Sequence, residues 1–205
     1  VHEEVARGRA DVSMDYRLDV VFDHYGADPE VMREKAKDER NIELLEARIA
    51  EKPEDLLTWF YLASQHWTGG RREKAMDAFR RVIALFERNP SSYGVAIRNV
   101  PVPYSYVGLV RALAEQGDNG EAAEIARRGL GRFPDNPDLW FQLGWALVGA
   151  EELDSAKDAF ERAASIKVSG YALISMHDRR IGEWRARKMV GDIEFAQENI
   201  GAAYE

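Results

Sequence analysis

Residues 138–163, DLWFQLGWALVGAEELDSAKDAFERA, decide the fold. Trp140, Leu143 and Gly144 are spaced by three and four residues, which places them on one face of a helix turning every 3.6 residues. Ala156, Phe160 and Ala163 keep the same spacing in a second run. Gly149-Ala150-Glu151 between the runs is turn chemistry that ends one helix and starts the next. The small Ala156 lets the first helix approach closely, and Phe160 fills the space beside it. The stretch therefore reads as a helical hairpin with a buried face on each helix.

Working outward, the same pattern appears twice more. Tyr106, Leu109, Val110, Ala122, Ala126 and Gly129 precede it by 34 residues, and Trp59, Leu62, Ala63, Ala75, Phe79 and Val82 lie 47 residues before those, the same period with 13 residues added. Turns fall at Gly69-Gly70-Arg71 and Gly117-Asp118-Asn119-Gly120, and Pro134 closes the second copy. A period in this range means stacked supersecondary units. The Trp/Tyr, Leu, Gly/Ala, Ala, Phe, Ala and Pro spacing resembles the tetratricopeptide repeat (TPR), whose helix pairs stack into a right-handed superhelix. The resemblance covers residues 53–168. The first copy departs from it at Ala63, and the second at Ala126 and Gly129. The fold class expected is mainly α, a TPR-like α-solenoid of antiparallel helix pairs, with a short N-terminal β segment.

Composition narrows the function classes. The chain has 205 residues, 45% of them hydrophobic, enough to supply a core. A formal net charge of -8 and a sequence pI near 5.2 argue against a nucleic-acid partner, which needs a basic surface. A basic run from Arg179-Arg180 through Arg185, Arg187 and Lys188 reads as a solvated face. The absence of cysteine removes disulfides, thiol nucleophiles and cysteine zinc sites, and suits a cytoplasmic location. The apolar stretch Leu139 to Ala150 is too short to span a bilayer, and no secretory signal is visible. A start at Val1 without methionine suggests a fragment or a processed product.

The amino-terminal residues read differently. Val1 to Val5 and Tyr16 to Tyr25 alternate as strands. Gly26-Ala27-Asp28-Pro29 then caps a long helix reaching about Glu51, with Asp28 as N-cap and Pro29 at the first position. This divides the chain into a β segment at 1–27, a linker helix at 28–52, three helix pairs at 53–168 with an insertion at about 89–103, and capping helices at 169–205. The order of His2-Glu3, Val20-Val21-Phe22-Asp23-His24-Tyr25-Gly26, Lys37, Arg40-Asn41 and Leu44-Leu45-Glu46 resembles the junction in family 2 glycosyltransferases, where a GT-A domain passes through a helix into TPR repeats. That resemblance implies a nucleotide sugar and a divalent cation held by an Asp-x-Asp motif, with another Asp as general base. No such motif occurs here: Asp11, Asp15 and Asp19 lack its spacing, and Asp135-Asn136-Pro137-Asp138 sits in a repeat turn. The chain alone is expected to be non-catalytic, to need no cofactor and to bind no metal. His2, Glu3 and His24 at most complete the rim of an active site lying elsewhere, and the bland reading of each is a packed or surface side chain. His66 reads as a packing residue, and His177 has no ligand partner at usable spacing.

The repeats carry the binding chemistry. By the TPR resemblance, the first helix of each pair lines a concave groove, with Leu57, Phe60, Ser64, Trp67, Tyr104, Val107, Arg111, Phe141 and Trp145 facing it. Aromatics and Arg are enriched at binding hot spots, and a contiguous apolar patch usually meets a partner. The Lys and Asn pattern that grips a C-terminal carboxylate in chaperone-binding members is absent. The alternative is that Pro90, Tyr93, Val95, Ile97, Val100, Pro101 and Val102 of the insertion fold back to fill the groove. At the far end Ile174, Ile181, Trp184 and Val190 are expected to cap the third hairpin. Two functions stand open: the interaction region of a glycosyltransferase, holding an acceptor glycan or protein, or a scaffold binding a protein or peptide partner. Self-association is open in either case.

Overall fold

The computed structural model describes residues 37–167, 178 and 180–203. The chain divides into two units, Val1–Lys37 and Asp38–Glu205, and the helical repeats lie in the second. The strand, His-Glu and His-Tyr-Gly readings at 1–27 and the start of the linker helix lie outside the described residues, as do His177 and Ile174.

Every regular element among the described residues is helical. The order is α1 (Lys37–Glu51), α2 (Leu56–Thr68), α3 (Arg72–Arg88), α4 (Val95–Asn99), α5 (Pro101–Gln116), α6 (Asn119–Leu130), α7 (Pro137–Gly149), α8 (Leu153–Ser165) and α9 (Ala186–Ala203). A 3-10 turn at Pro90–Ser92 precedes α4, and a π-helical turn at Ile181–Arg185 leads into α9. Helices α2/α3, α5/α6 and α7/α8 pair within repeats, and α3 against α5, α6 against α7 and α5 against α7 join the repeats into one core. No helix among them is long and apolar enough to cross a membrane.

The repeat period is visible in the backbone. The second helices start at Arg72, Asn119 and Leu153, spaced by the same 47 and 34 residues as the side-chain pattern. Positive φ recurs at Gly70 (73°), Gly117 (89°) and Glu151 (63°), again 47 and 34 apart. Each elbow thus reverses the chain through one left-handed residue, and the third elbow places a glutamate there.

The small-large alternation becomes interdigitation. Ala75, Ala122 and Ala156 are fully buried, as are Phe79 and Phe160. A Cβ on Gly108 would meet the Phe79 ring at 2.6 Å, and one on Gly144 would meet Phe160 at 2.6 Å. Gly129 stands where the repeat ordinarily has Ala because the Tyr106 ring lies 3.0 Å from where its Cβ would be. Burying each such aromatic contributes about 1.5–3 kcal/mol.

The aromatic that opens each repeat differs in burial. Trp59 and Trp140 are only partly buried, and their indole N–H groups donate to Pro53 O (2.9 Å) and Pro134 O (2.7 Å), six residues back in both cases. Tyr106 is fully buried, and its hydroxyl donates to Glu87 Oε1 at 2.6 Å. Burial pushes this phenol far above its ordinary pKa.

The insertion does not fill the groove. Tyr93 and Ile97 pack on the core, with the Tyr93 ring 6.1 Å from Phe86, while Val95 is exposed. Pro101, Val102 and Pro103 form the buried first turn of α5 and are not loop. At the C-terminal end α9 caps α8 through Ile193 and partly buried Met189 and Val190, tied by Lys157 to Glu194 and by Gln197 to Asp154. Ile181 is buried as expected, but Trp184 is 51% exposed. The wide π-turn brings Ile181 and Arg185 inward and leaves Trp184 outside.

Candidate partner-binding groove

The first helices α5 and α7, the end of α2 and the segment around Asp178–Arg185 enclose an open cavity of about 1210 Å³. Of the residues named from the sequence, Trp67, Tyr104, Val107, Arg111, Phe141 and Trp145 line it together. Phe60 and Ser64 do not. Phe60 is 6% exposed behind the Tyr104 ring, edge-on at 5.7 Å, and the Ser64 hydroxyl donates to the Phe60 carbonyl at 3.0 Å. Leu57 is half-buried, while His2, Glu3 and His24 lie outside the described residues.

Two stations of similar construction stand in the groove wall. At the first, two guanidinium groups stand over the Trp67 ring, Arg72 at 4.0 Å and Arg111 at 5.2 Å from its centre. Both arginines share Glu115, at 3.3 and 2.9 Å, and Arg72 also donates to the Trp67 carbonyl at 2.7 Å. Cation–π stacking of this kind fixes a long side chain that would otherwise sample many rotamers.

At the second station, Phe141 is 2% exposed and carries the Arg185 guanidinium at 4.9 Å. Asp178 accepts from Arg180 Nε at 2.8 Å and from Arg185, while its backbone N–H donates to Asp138 Oδ1 at 3.3 Å. The Arg180 hydrogen bond foremost, with Arg185 beside it, holds the Asp178 carboxyl down at about 2. Arg185, read from the sequence as part of a solvated run, is instead half-buried on the groove floor.

Trp145 completes the surface. It is 41% exposed, with its ring edge-on to Phe141 at 6.4 Å and to Phe160 at 6.3 Å. The neighbouring Tyr104 phenol is pushed up by burial. Among the described residues no three of His, Cys, Asp and Glu gather as metal ligands would. The chemistry the described residues offer is that of apolar contact, stacking and charge.

Sequence reasoning missed Glu115 and Asp178 as wall residues, and Arg72 as their neighbour stacked on Trp67. Arg72 and Glu115 sit 43 positions apart at the helix ends of adjacent repeats, so nothing local links them. The stacking of one repeat on the next alone brings them together. Asp178 and Arg185 fall where the periodic pattern has decayed, and no spacing rule reaches them.

A tetratricopeptide repeat family model matches residues 107–171. No curated protein sequence matches the chain. Among solved structures, one described as the crystal structure of MamA is similar at a TM-score of 0.55 and 16% identity, covering 89% of this chain and 99% of that one. A second MamA structure gives 0.55 at 18% identity over 88% and 93% of the two chains. A MamA segment from Desulfovibrio magneticus RS-1 gives 0.53 at 14% over 83% and 91%. At these identities the likeness is one of fold. With three stacked helix pairs and the 34-residue step, the chain has a TPR-like α-solenoid fold, and its residues 107–171 match the tetratricopeptide repeat family.

Proposed function

We propose that this chain is a TPR scaffold that binds a partner peptide in its concave groove. The observation carrying this reading is the open cavity of about 1210 Å³, floored by aromatics and unfilled by the insertion. Its size suits several peptide side chains, and pre-stacked Trp67 and Phe141 lose little rotamer freedom on binding. The partner side chains would displace water from Trp145, Val107 and Tyr104. Solute cofactors are not needed for this work, and none is proposed.

The glycosyltransferase resemblance rests on the order of residues 1–46, most of which lie outside the described residues, and neither the family match nor the similar structures add to it. The scaffold reading rests on the groove itself and is the one we adopt.

The test is selection of peptides from a displayed library against the full chain, followed by calorimetric titration of the best binder. Trp145→Ala should weaken that binding about tenfold or more, the range of an aromatic hot spot, while the melting temperature stays near the parent value. Unchanged affinity in Trp145→Ala and in Val107→Asp would place the binding surface elsewhere and remove the groove from consideration.

A further inference from the structure

The groove wall does not share the acidity of the chain. The protein as a whole carries -8. Among the described residues the cavity wall nevertheless holds five cations, Arg111, Arg162, Lys167, Arg180 and Arg185, against four carboxylates, Glu115, Asp135, Asp138 and Asp178. Arg72, stacked on Trp67 at the rim, adds another cation.

The carboxylates are engaged from within. Glu115 serves both Arg72 and Arg111, Asp178 serves both Arg180 and Arg185, Asp135 lies 3.6 Å from Arg162, and Asp138 accepts the Asp178 backbone N–H. Two guanidinium groups on the single carboxylate of Glu115 leave the first station with a surplus positive charge. Arg111 donates through Nε to Glu115 and stays half-exposed, with its terminal N–H groups unassigned, and a guanidinium has five donors in all. Lys167 is exposed at the same wall and has no carboxylate partner among the described residues. The wall is of mixed sign, and its exposed cations Arg111 and Lys167 are the charges it offers to a ligand.

On the reading that the groove binds a peptide, we propose that the partner is an acidic segment with interspersed large apolar side chains. Its apolar residues occupy the floor at Trp145, Val107 and Tyr104. Its carboxylates are received by Arg111 beside Trp67 at one end, and by Arg185 and Lys167 at the other. The stacked rings hold both guanidinium groups in place before the ligand arrives, so little ordering is left to the binding step. This recognition reads acidic side chains along the segment and requires no free C-terminus.

The probe is a set of three labelled peptides of equal length with identical Leu and Trp positions, whose remaining side chains are Glu, Gln or Lys. Binding to the full chain is followed by fluorescence anisotropy at low and high salt. The Glu peptide should bind about tenfold or more tighter than the Gln peptide at low salt, with the Lys peptide weakest. High salt should shrink that difference, since the charges are partly exposed. Arg111→Gln combined with Arg185→Gln should bring the Glu peptide down to the affinity of the Gln peptide, with Lys167→Gln as the milder single change. Trp145→Ala should weaken the Glu and Gln peptides alike. Equal or better binding of the Gln or Lys peptide overturns the acidic preference and leaves the groove reading standing. Glu-peptide binding that ignores both the arginine pair and Trp145 overturns the two together, as does failure of all three peptides to bind.

Discussion

Phe160 lies so close to Gly144 that a single methyl on the glycine would stand 2.6 Å from the ring edge. In the first repeat the same position is Ala63, fully buried. Gly144→Ala should therefore destabilise the array by about 1–2 kcal/mol, the overpacking cost less what alanine recovers in helix propensity. Adding Phe160→Leu should return part of that loss, and a double-mutant cycle in urea measures the coupling. Additive effects would mean that the two side chains do not meet.

Glu151 offers the opposite test. Its φ of 63° is in the left-handed region, where the first two elbows have Gly70 and Gly117. Glu151→Gly should raise stability by about 0.5–1 kcal/mol by removing the Cβ penalty. The side chain is exposed, so no packing is lost with it. A lower melting temperature would contradict the elbow geometry.

The opening aromatics should not be equivalent. Tyr106 is fully buried, so Tyr106→Ala should cost about 3–5 kcal/mol. Trp140 is only partly buried, and its replacement by alanine should cost less than that of Tyr106. Trp140→Phe isolates the indole hydrogen bond to the Pro134 carbonyl and should cost about 0.5–1.5 kcal/mol. Chemical denaturation of the three variants gives the order directly.

His66 supplies a pH dependence. It is 3% exposed, its Nδ1 has no hydrogen-bond partner, and it stands where later repeats have Leu113 and Leu147. Burial foremost, then Lys74 and Arg71, pull its pKa below 6.5, and Glu46 from α1 opposes them. The unfolded chain therefore binds this proton more readily than the folded one. Stability is full above pH 6.5 and declines as the pH falls through the lowered folded value. His66→Leu should flatten the stability profile between about pH 5 and 7. An unchanged slope would assign the acid sensitivity to other groups.

The groove was partly legible beforehand. Trp67, Tyr104, Val107, Arg111, Phe141 and Trp145 are named by the TPR resemblance, in which one stripe of each first helix faces a concave groove, and all six line the cavity. Phe60 and Ser64 obey the same rule, yet they lie outside the cavity wall. The Tyr104 ring from the next repeat covers Phe60, and Ser64 bonds its own helix. The resemblance assigns a face, and the neighbouring repeat decides whether that face is open.

The sequence by itself determined the helix pairs, their 34-residue step, the elbows and the small-large alternation, since each depends on contacts or torsions within one repeat. The two arginine stations were decided only by the tertiary structure. Arg72 meets Glu115 across 43 residues, and Arg185 meets Phe141 through a π-turn in a segment with no periodic signal. Long side chains at repeat junctions take partners set by stacking geometry, and no local spacing encodes that geometry.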